Sequence, residues 1–138
     1  DVYKRQIPPQ SVKIMLTQSR QSDEKTIMGI LSLLPGLREI SHLNAEIAWY
    51  HDNEARSLYV WQKESQGQVL GVLGVEIYNN NIAIIRHVAL TPESRSVRNY
   101  FDMISDYQEQ HSEAFLMGTL DNQKLINKWR KATSRKTV

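Results

Sequence analysis

The sequence predicts a single domain of the α/β (α+β) class, with a mixed central sheet and helices on both faces. Apolar residues recur at helical spacing in two segments near the start of the chain. Three consecutive segments then take on the composition of strands, and a helix, a short strand and a last helix follow. Three antiparallel strands followed by a crossover helix require a mixed sheet. The predicted order of elements is β-α-α-β-β-β-α-β-α.

The composition is that of an ordinary globular protein. The chain has 138 residues, of which 41% are hydrophobic and 23% charged, and this is enough for one core. Its net charge of +2 is too small to favour a nucleic-acid or membrane partner, and no apolar run approaches the roughly 20 residues that span a bilayer. Cysteine is absent, and His42, His51 and His111 lack metal-ligand spacing, so we predict no metal site. We expect a cytoplasmic enzyme or binding module.

Residues 1–14 are expected to be a non-native leader, followed by one domain over residues 15–138. DVYKRQ is the translation of GATGTGTATAAGAGACAG, a widely used transposase sequencing adapter. The paired prolines of IPPQSVKI are a poor start for a packed element. Met15 is then the expected native start, and a genuine tail ahead of the first strand is the alternative.

The first third of the chain predicts one strand and two helices. Residues 13–18 form the predicted first strand, and residues 22–36 the first helix, which stops at Pro35-Gly36. A second amphipathic helix follows, because apolar residues recur at spacings of three and four: Leu37, Ile40, Leu43, Ile47 and Tyr50.

The middle of the chain predicts three antiparallel strands. Residues 57–63 are aromatic and β-branched, and residues 69–78 form a longer strand. Residues 79–81 are three asparagines, which tolerate positive φ and therefore predict a tight turn. Residues 82–90 return as the fourth strand.

The last third predicts a helix, a strand and a helix. After Pro92 an apolar stripe marks the third helix, up to Tyr107. Residues 114–120 form the predicted fifth strand, and residues 122–131 the last helix.

The residues VALTPESR at the end of the fourth strand resemble a motif of the GNAT acyl-CoA N-acyltransferase superfamily. That motif reads L-x-V-x-P-x-x-R-x-x-G-x-G/A, and Val88, Leu90, Pro92 and Arg95 match its first part. Further segments narrow the resemblance, over about residues 15–131, to the short acetyltransferase-like proteins of bacterial riboflavin operons, the RibT family. These segments are MLTQSRQSDEKTIMGILSLLP, YVWQKES, GVLGVEI, IIRHVALTP and LMGTLDNQKLINKW.

The resemblance implies a short GNAT fold that lacks the last strand pair and binds acetyl-CoA where the fourth and fifth strands splay apart. The pantetheine arm would lie between these strands, against the backbone of Val88, Ala89 and Leu90. A helix N-terminus presents unpaired N–H groups and partial positive charge, which suits the pyrophosphate. The loop that would hold it consists of Arg95, Ser96, Val97, Arg98, Asn99 and Tyr100.

This pyrophosphate loop departs from the motif, because Arg98 and Tyr100 occupy its two glycine positions. A Cβ at these positions hinders close approach of a phosphate to the backbone. Three interpretations stay open. Arg98 pairs with a cofactor phosphate, the loop shifts so that Ser94 and Ser96 supply hydroxyls, or cofactor binding is weakened or lost. Tyr100 also fits the apolar face of the helix as a core residue.

The last helix differs from the GNAT pattern at the position of the catalytic acid. Many GNAT enzymes use a tyrosine seven residues after an asparagine to protonate the leaving thiolate. Asn122 matches that asparagine and would contact the cofactor, but Trp129 stands at the tyrosine position. An indole N–H does not deliver a proton, so Trp129 either lines the pocket or packs in the core.

The central strands offer His87 and Glu76 as candidate bases for amine acylation. His87 titrates near neutral pH and is predicted to come just before the cofactor-binding bulge, although a structural hydrogen bond explains it equally well. Glu76 lies near the central turn, where an exposed carboxylate is the default. By strand alternation Arg86 faces away from His87 and could hold an anionic acceptor or a surface partner.

Two functions of different classes stay open. The first is transfer of an acetyl group from acetyl-CoA to a small primary amine, which the family resemblance would link to riboflavin metabolism. The second is a catalytically silent GNAT scaffold with weakened or lost CoA binding, which binds a ligand or partner for regulation. The framework of residues 88–92 favours the first, and the missing glycines and tyrosine favour the second. The fold is compatible with a homodimer.

Overall fold

The computed structural model describes residues 13–64, 67–79 and 81–136. The expected leader lies outside these residues up to position 12, and so does Asn80 of the predicted turn. Within the described residues, five strands form one sheet in the order β1-β2-β3-β4-β5. They are β1 (Ile14–Gln18), β2 (Arg56–Lys63), β3 (Val69–Tyr78), β4 (Ile82–Leu90) and β5 (Phe115–Gly118).

Four helices accompany the sheet in the part of the chain that the structure describes. They are α1 (Glu24–Leu31), α2 (Ile40–His51), α3 (Val97–Gln110) and α4 (Gln123–Lys136). Their order among the strands agrees with the predicted β-α-α-β-β-β-α-β-α arrangement. The first helix is shorter than predicted and the last one is longer.

The strands are connected as the sequence predicts for a mixed sheet. The first four strands pair with their neighbours in antiparallel fashion, whereas β5 lies parallel to β4. Parallel neighbours need a crossover connection, and α3 supplies it. The turn between β3 and β4 contains Asn79 at a φ of 53°, the left-handed conformation that asparagine tolerates.

Helices cover both faces of the sheet, which confirms the predicted layering. The core on the α1–α2 face includes Leu31, Leu43, Tyr50, Val60 and Val72. The core on the α3–α4 face includes Trp61, Leu73, Ile104, Leu116 and Ile126. Neighbouring residues of the central strands thus enter opposite cores, as the alternation of side chains along a strand requires.

A β-bulge interrupts this alternation in the middle of β4. In the register with β3, His87 pairs with Gly74 and Ile85 pairs with Val75, so Arg86 is an extra residue without its own partner. Such an insertion bends the strand and redirects the side chains that follow it. The bulge therefore comes before His87, not after it as the sequence predicted.

Because of the bulge, two successive side chains of β4 lie on the α2 side of the sheet. The Arg86 guanidinium lies 4.6 Å from the centre of the Trp49 ring. His87 contacts Tyr50 of the same helix. The prediction that Arg86 and His87 face opposite sides is wrong, since strict alternation holds only in a regular strand.

The fourth and fifth strands separate after a short pairing. Residues 82–85 of β4 pair with residues 115–118 of β5, and β4 then continues alone on this edge to Leu90. Just beyond β5, the Thr119 N–H donates to the Ile85 oxygen at 3.1 Å. The resulting gap positions the candidate site.

Candidate active site

A cavity of about 450 Å³ opens where β4 and β5 separate. Its walls come from the α1–α2 loop, from α2, from the bulged part of β4 and from the β5–α4 loop. The residues that line it are Leu34, Pro35, Gly36, Leu37, Glu46, Arg86, His87, Val88, Asp121 and Asn122. The cavity thus combines an apolar wall with ionisable and amide side chains, which is typical of small-molecule sites.

The α1–α2 loop forms the apolar wall because α1 stops early. The helix ends at Leu31, and residues 32–36 turn the chain away, with Gly36 at a φ of 87°. A side chain at that φ would be strained, so glycine suits the turn. Leu37 is buried and anchors the end of the loop in the core.

His87 lies at the centre of a row of polar groups supplied by α2. Its Nδ1 contacts the Tyr50 hydroxyl, and its Nε2 lies 3.5 Å from Oε2 of Glu46. Glu46 and Tyr50 are one helical turn apart, so both project from the same side of α2. We call these three residues the Glu46–His87–Tyr50 row. The His87 side chain is 15% exposed and that of Glu46 is 39% exposed, so Glu46 is the member most open to the cavity.

Burial sets the protonation states of two members of the row. Burial lowers the pKa of His87; the Arg86 charge acts in the same direction, and the Glu46 carboxylate opposes both. Burial also raises the pKa of Tyr50 well above its usual value. At neutral pH the imidazole is therefore uncharged, and the phenol keeps its proton.

Glu76, the second candidate base from the sequence, is held by arginines beside the cavity. Its Oε1 lies 3.3 Å from Nη1 of Arg86, and its Oε2 lies 3.7 Å from Nε of Arg56. Both guanidinium groups also lie over the Trp49 ring, at 4.6 Å for Arg86 and 4.0 Å for Arg56. The bulge thus brings Arg86 into the cavity wall while its charge is balanced by Glu76.

Asn122 joins the β5–α4 loop to β4 at the point of separation. Its Nδ2 donates to the Arg86 oxygen at 3.0 Å, to the Ile85 oxygen at 3.3 Å and to Oγ1 of Thr119 at 3.0 Å. The side chain therefore lies in the cavity wall, as a cofactor-binding residue would, but its amide nitrogen is engaged with the protein itself.

A second cavity of about 300 Å³ continues from the first toward the start of α3. The two cavities share Leu34 and Pro35, so they adjoin along the α1–α2 loop. The second is lined by Leu33, Leu34, Pro35, Ala89, Leu90, Arg95 and Tyr100. We call the two together the groove. It brings residues of the predicted pantetheine and pyrophosphate contacts onto one path that ends at His87.

The loop before α3 is organised by its own hydrogen bonds. Ser96 caps the helix, since its Oγ accepts from the Asn99 N–H at 3.0 Å. The Asn99 amide donates to the Ser94 oxygen at 2.8 Å, and Nε of Arg95 donates to the Leu90 oxygen at 3.3 Å. Thr91 donates to the Ser94 hydroxyl at 2.8 Å. Both serine hydroxyls proposed for a phosphate thus already make bonds within the loop.

The two residues at the glycine positions point in different directions. The Arg98 side chain is 88% exposed, and its Nε lies 3.9 Å from Oδ2 of Asp102, one turn further along α3. Exposed pairs of this kind contribute little to stability, so the guanidinium can leave Asp102 at low cost. Tyr100 packs against the α3–α4 core and also lines the groove, so its ring is both a core and a wall residue. Val97 is exposed at the start of the helix.

Trp129 packs in the core and is not among the residues that line the groove. It is buried on the α3–α4 face, and its Nε1 donates to Oγ of Ser105 at 2.9 Å. Of the two interpretations of this residue, packing is therefore the one the structure supports.

Two members of the row were missed by sequence reasoning. Tyr50 was assigned only to the apolar stripe of α2, and Glu46 was not singled out. The available signal was the position of Glu46, four residues before Tyr50 and next to Ile47, where a carboxylate borders the buried stripe. Their contact with His87 depends on the packing of α2 against β4, which no local pattern reports.

No protein-family model matches the chain. A curated relative is an uncharacterized N-acetyltransferase encoded in the lysA 3′ region of Bacillus methanolicus, which is 30% identical over 81 residues. The match covers 59% of this chain and 66% of the relative, so the chain spans just under two thirds of that protein.

Solved acetyltransferase structures have the same fold. The aminoglycoside N-acetyltransferase AAC(6′)-Iy in complex with CoA superimposes with a TM-score of 0.65 at 12% identity, over 91% of this chain and 90% of that one. The spermidine N-acetyltransferase of Vibrio cholerae, solved with CoA and spermine, gives a TM-score of 0.58 at 13% identity, over 86% and 78% of the two chains. Within the described residues, no helix is long and apolar enough to cross a membrane.

Proposed function

We propose, from the GNAT N-acetyltransferase fold that this chain has, that it transfers an acetyl group from acetyl-CoA to a small primary amine. The observation that supports this most strongly is the groove, which leads from the start of α3 past Ala89 and Leu90 to the Glu46–His87–Tyr50 row. Solved relatives named for aminoglycoside and spermidine acetylation share the fold, which agrees with an amine acceptor.

The groove fits an extended acyl-CoA arm in shape and in hydrogen-bonding groups. β4 continues to Leu90 after its pairing with β5 ends at Ile85, so the edge of the strand faces the gap. An arm that contains amide groups can bond such a strand edge. Val88, Ala89 and Leu90 would bind it, and Asn122 would border the reacting end.

The start of α3 fits the phosphates. Ser96 caps the helix, and the N–H groups of Val97 and Arg98 come next, where no partner exists within the helix. These groups and the helix dipole attract an anion. Of the three interpretations of the glycine-free loop, we favour pairing of Arg98 with a phosphate, because its side chain is exposed and only weakly held by Asp102.

The chemistry at the inner end follows from the row. Acetyl-CoA, when bound, supplies the thioester acyl group, and CoA departs as the thiol. An ammonium group has to lose a proton before its nitrogen lone pair can attack. Glu46, oriented by His87, can both attract that ammonium and take the proton. After the attack, a second proton leaves the nitrogen and protonates the departing thiolate. The proton that Glu46 takes is the one released in each turnover. Glu76, already paired with Arg56 and Arg86, has no role in this proposal.

The test is release of free thiol from acetyl-CoA in the presence of a panel of primary amines. The panel contains polyamines, aminoglycosides, amino sugars and amine-bearing riboflavin precursors, the last because of the resemblance to the riboflavin-operon family. We expect amine-dependent thiol release with one of these classes and its loss in Glu46→Gln. Thiol release that no amine increases would contradict the proposal.

A silent scaffold is the second candidate, and specific residues favour it. Arg98 and Tyr100 replace both glycines of the motif. Trp129 stands at the position where many GNAT enzymes carry the tyrosine acid, and its side chain is buried. This function predicts that acetyl-CoA binds weakly or not at all and does not turn over, although the fold is intact. Acetyl-CoA raises the melting temperature only if it binds the folded state, so thermal shift separates the two functions.

A further inference from the structure

We infer that Tyr50 is a positioning residue that holds His87 in the tautomer with its proton on Nε2, so that Glu46, and not His87, receives the proton of the acceptor amine. The kinetic part of this inference rests on the proposed acetyltransferase function. The tautomer itself does not, because it follows from contacts within the protein.

The tautomer follows from the groups at each end of the imidazole. Nδ1 faces the Tyr50 hydroxyl, and Nε2 faces a Glu46 carboxylate oxygen at 3.5 Å. A carboxylate only accepts, so the nitrogen that faces it is best satisfied as N–H. Nδ1 is then the acceptor, and the buried hydroxyl of Tyr50 donates to it. The opposite tautomer would set the lone pair of Nε2 against the lone pairs of Glu46.

Gly74 makes the contact of Tyr50 with His87 sterically feasible. This glycine pairs with His87 in the β3–β4 register, and a Cβ on it would lie 2.0 Å from the Tyr50 oxygen. The hydroxyl therefore lies over the backbone of β3 and reaches across to β4. The neighbouring Trp49 ring packs against the phenol in a T-shaped arrangement, with a distance of 5.1 Å between the two ring centroids.

The tautomer decides which group can act as the base. Nδ1 is occupied as the acceptor of the Tyr50 hydroxyl, and Nε2 directs its proton toward the Glu46 carboxylate, whose nearer oxygen lies 3.5 Å away. Glu46 is the member of the row most open to the cavity, and its carboxylate keeps lone pairs for an ammonium. His87 orients that carboxylate and stays uncharged.

The hydrogen bond from Tyr50 also affects how the His87 charge depends on pH. The charged groups around His87 are Glu46 from α2, Arg86 from β4, Glu76 from β3 and Asp121 across the cavity. A donor on Nδ1 opposes protonation at that nitrogen. In Tyr50→Phe this opposition is lost, so His87 becomes cationic at a higher pH and pairs with Glu46. The acidic limb of the kcat/KM profile should then move up by roughly one pH unit, which corresponds to one hydrogen bond.

The first experiment records the imidazole 15N resonances of the full chain without any ligand. We expect a protonated Nε2 and an unprotonated, hydrogen-bonded Nδ1 for His87 in the wild type. Tyr50→Phe should move the Nδ1 resonance to that of a nitrogen without a donor. Tyr107→Phe, at a buried tyrosine in the core of the other face, should not. A proton on Nδ1 in the wild type would overturn the inference, even if no variant folds.

The second experiment compares pH profiles of amine acetylation. Tyr50→Phe is expected to shift the acidic limb, with the KM for acetyl-CoA unchanged, and Tyr107→Phe is expected to leave the limb in place. A Tyr50→Phe enzyme that is slower at every pH, without a shift, would overturn the positioning role. If no amine is acetylated, the proposed function fails while the 15N spectra still decide the tautomer.

Discussion

Replacing Asn122 by alanine should lower the free energy of unfolding by about 1–2 kcal/mol. The Asn122 amide is the donor that bridges β4 and the β5–α4 loop, with bonds to the oxygens of Arg86 and Ile85. The Ile85 oxygen keeps a second donor, the Thr119 N–H at 3.1 Å. The loss therefore falls mainly on the Arg86 oxygen and on Oγ1 of Thr119, and this limits its size.

Asn122→Asp is the sharper comparison because it keeps the shape of the side chain. A carboxylate cannot donate, so its oxygens would face the two backbone oxygens at the present distances of 3.0 and 3.3 Å. We expect Asn122→Asp to lower the free energy of unfolding by about 2–4 kcal/mol, which is more than Asn122→Ala does.

Urea unfolding followed by tryptophan fluorescence measures both losses, provided that the m value stays constant. Asn127→Ala is the matched control, since this exposed amide on the next turn of α4 accepts a bond from Gln123 of the same helix. It should change stability by no more than about 0.5 kcal/mol. An Asn122→Asp protein as stable as the wild type would refute the bridging role.

Three other variants test the groove and the row. Glu46→Gln should lower kcat/KM for the amine by about 100-fold or more without changing the affinity for acetyl-CoA. Steady-state kinetics measures the first quantity and calorimetry the second. An unchanged kcat/KM would exclude Glu46 as the base. Arg98→Ala should weaken acetyl-CoA binding about tenfold or more, the equivalent of one charge-assisted hydrogen bond. If calorimetry instead shows that Arg98→Gly binds acetyl-CoA as tightly as the wild type does, the arginine side chain is an obstacle to the cofactor. Gly74→Ala should lower the free energy of unfolding, measured with urea, by about 1–3 kcal/mol, because the Cβ of the alanine would lie 2.0 Å from the Tyr50 oxygen. Unchanged stability would show that the phenol does not lie over β3.

The order of elements was predictable because each one carries its own periodicity. The spacing of Leu43, Ile47 and Tyr50 indicates α2, and all three side chains are buried. The asparagine turn and the two long strands around it are equally local signals, and Asn79 adopts the positive φ expected there. The end of α1 was misjudged because the turn begins at Ser32, ahead of the Pro35-Gly36 signal.

The site was less predictable because it depends on one inserted residue and on contacts between distant segments. Nothing in IIRHVAL marks Arg86 as a bulge, since the insertion is visible only in the register against β3. That single residue brings Arg86 and His87 to the same side and makes contacts with α2 possible. Glu46 and Tyr50 join the row through packing between residues about 40 positions apart in the sequence.

Calorimetric titration of acetyl-CoA into the 138-residue chain, with desulfo-CoA as a non-reactive analogue, tests the central claim most directly. The groove and the capped start of α3 predict saturable binding of both ligands with one site per chain, weakened in Arg98→Ala. Absence of binding at millimolar ligand by a protein that is folded would contradict the acetyltransferase account and leave the silent scaffold.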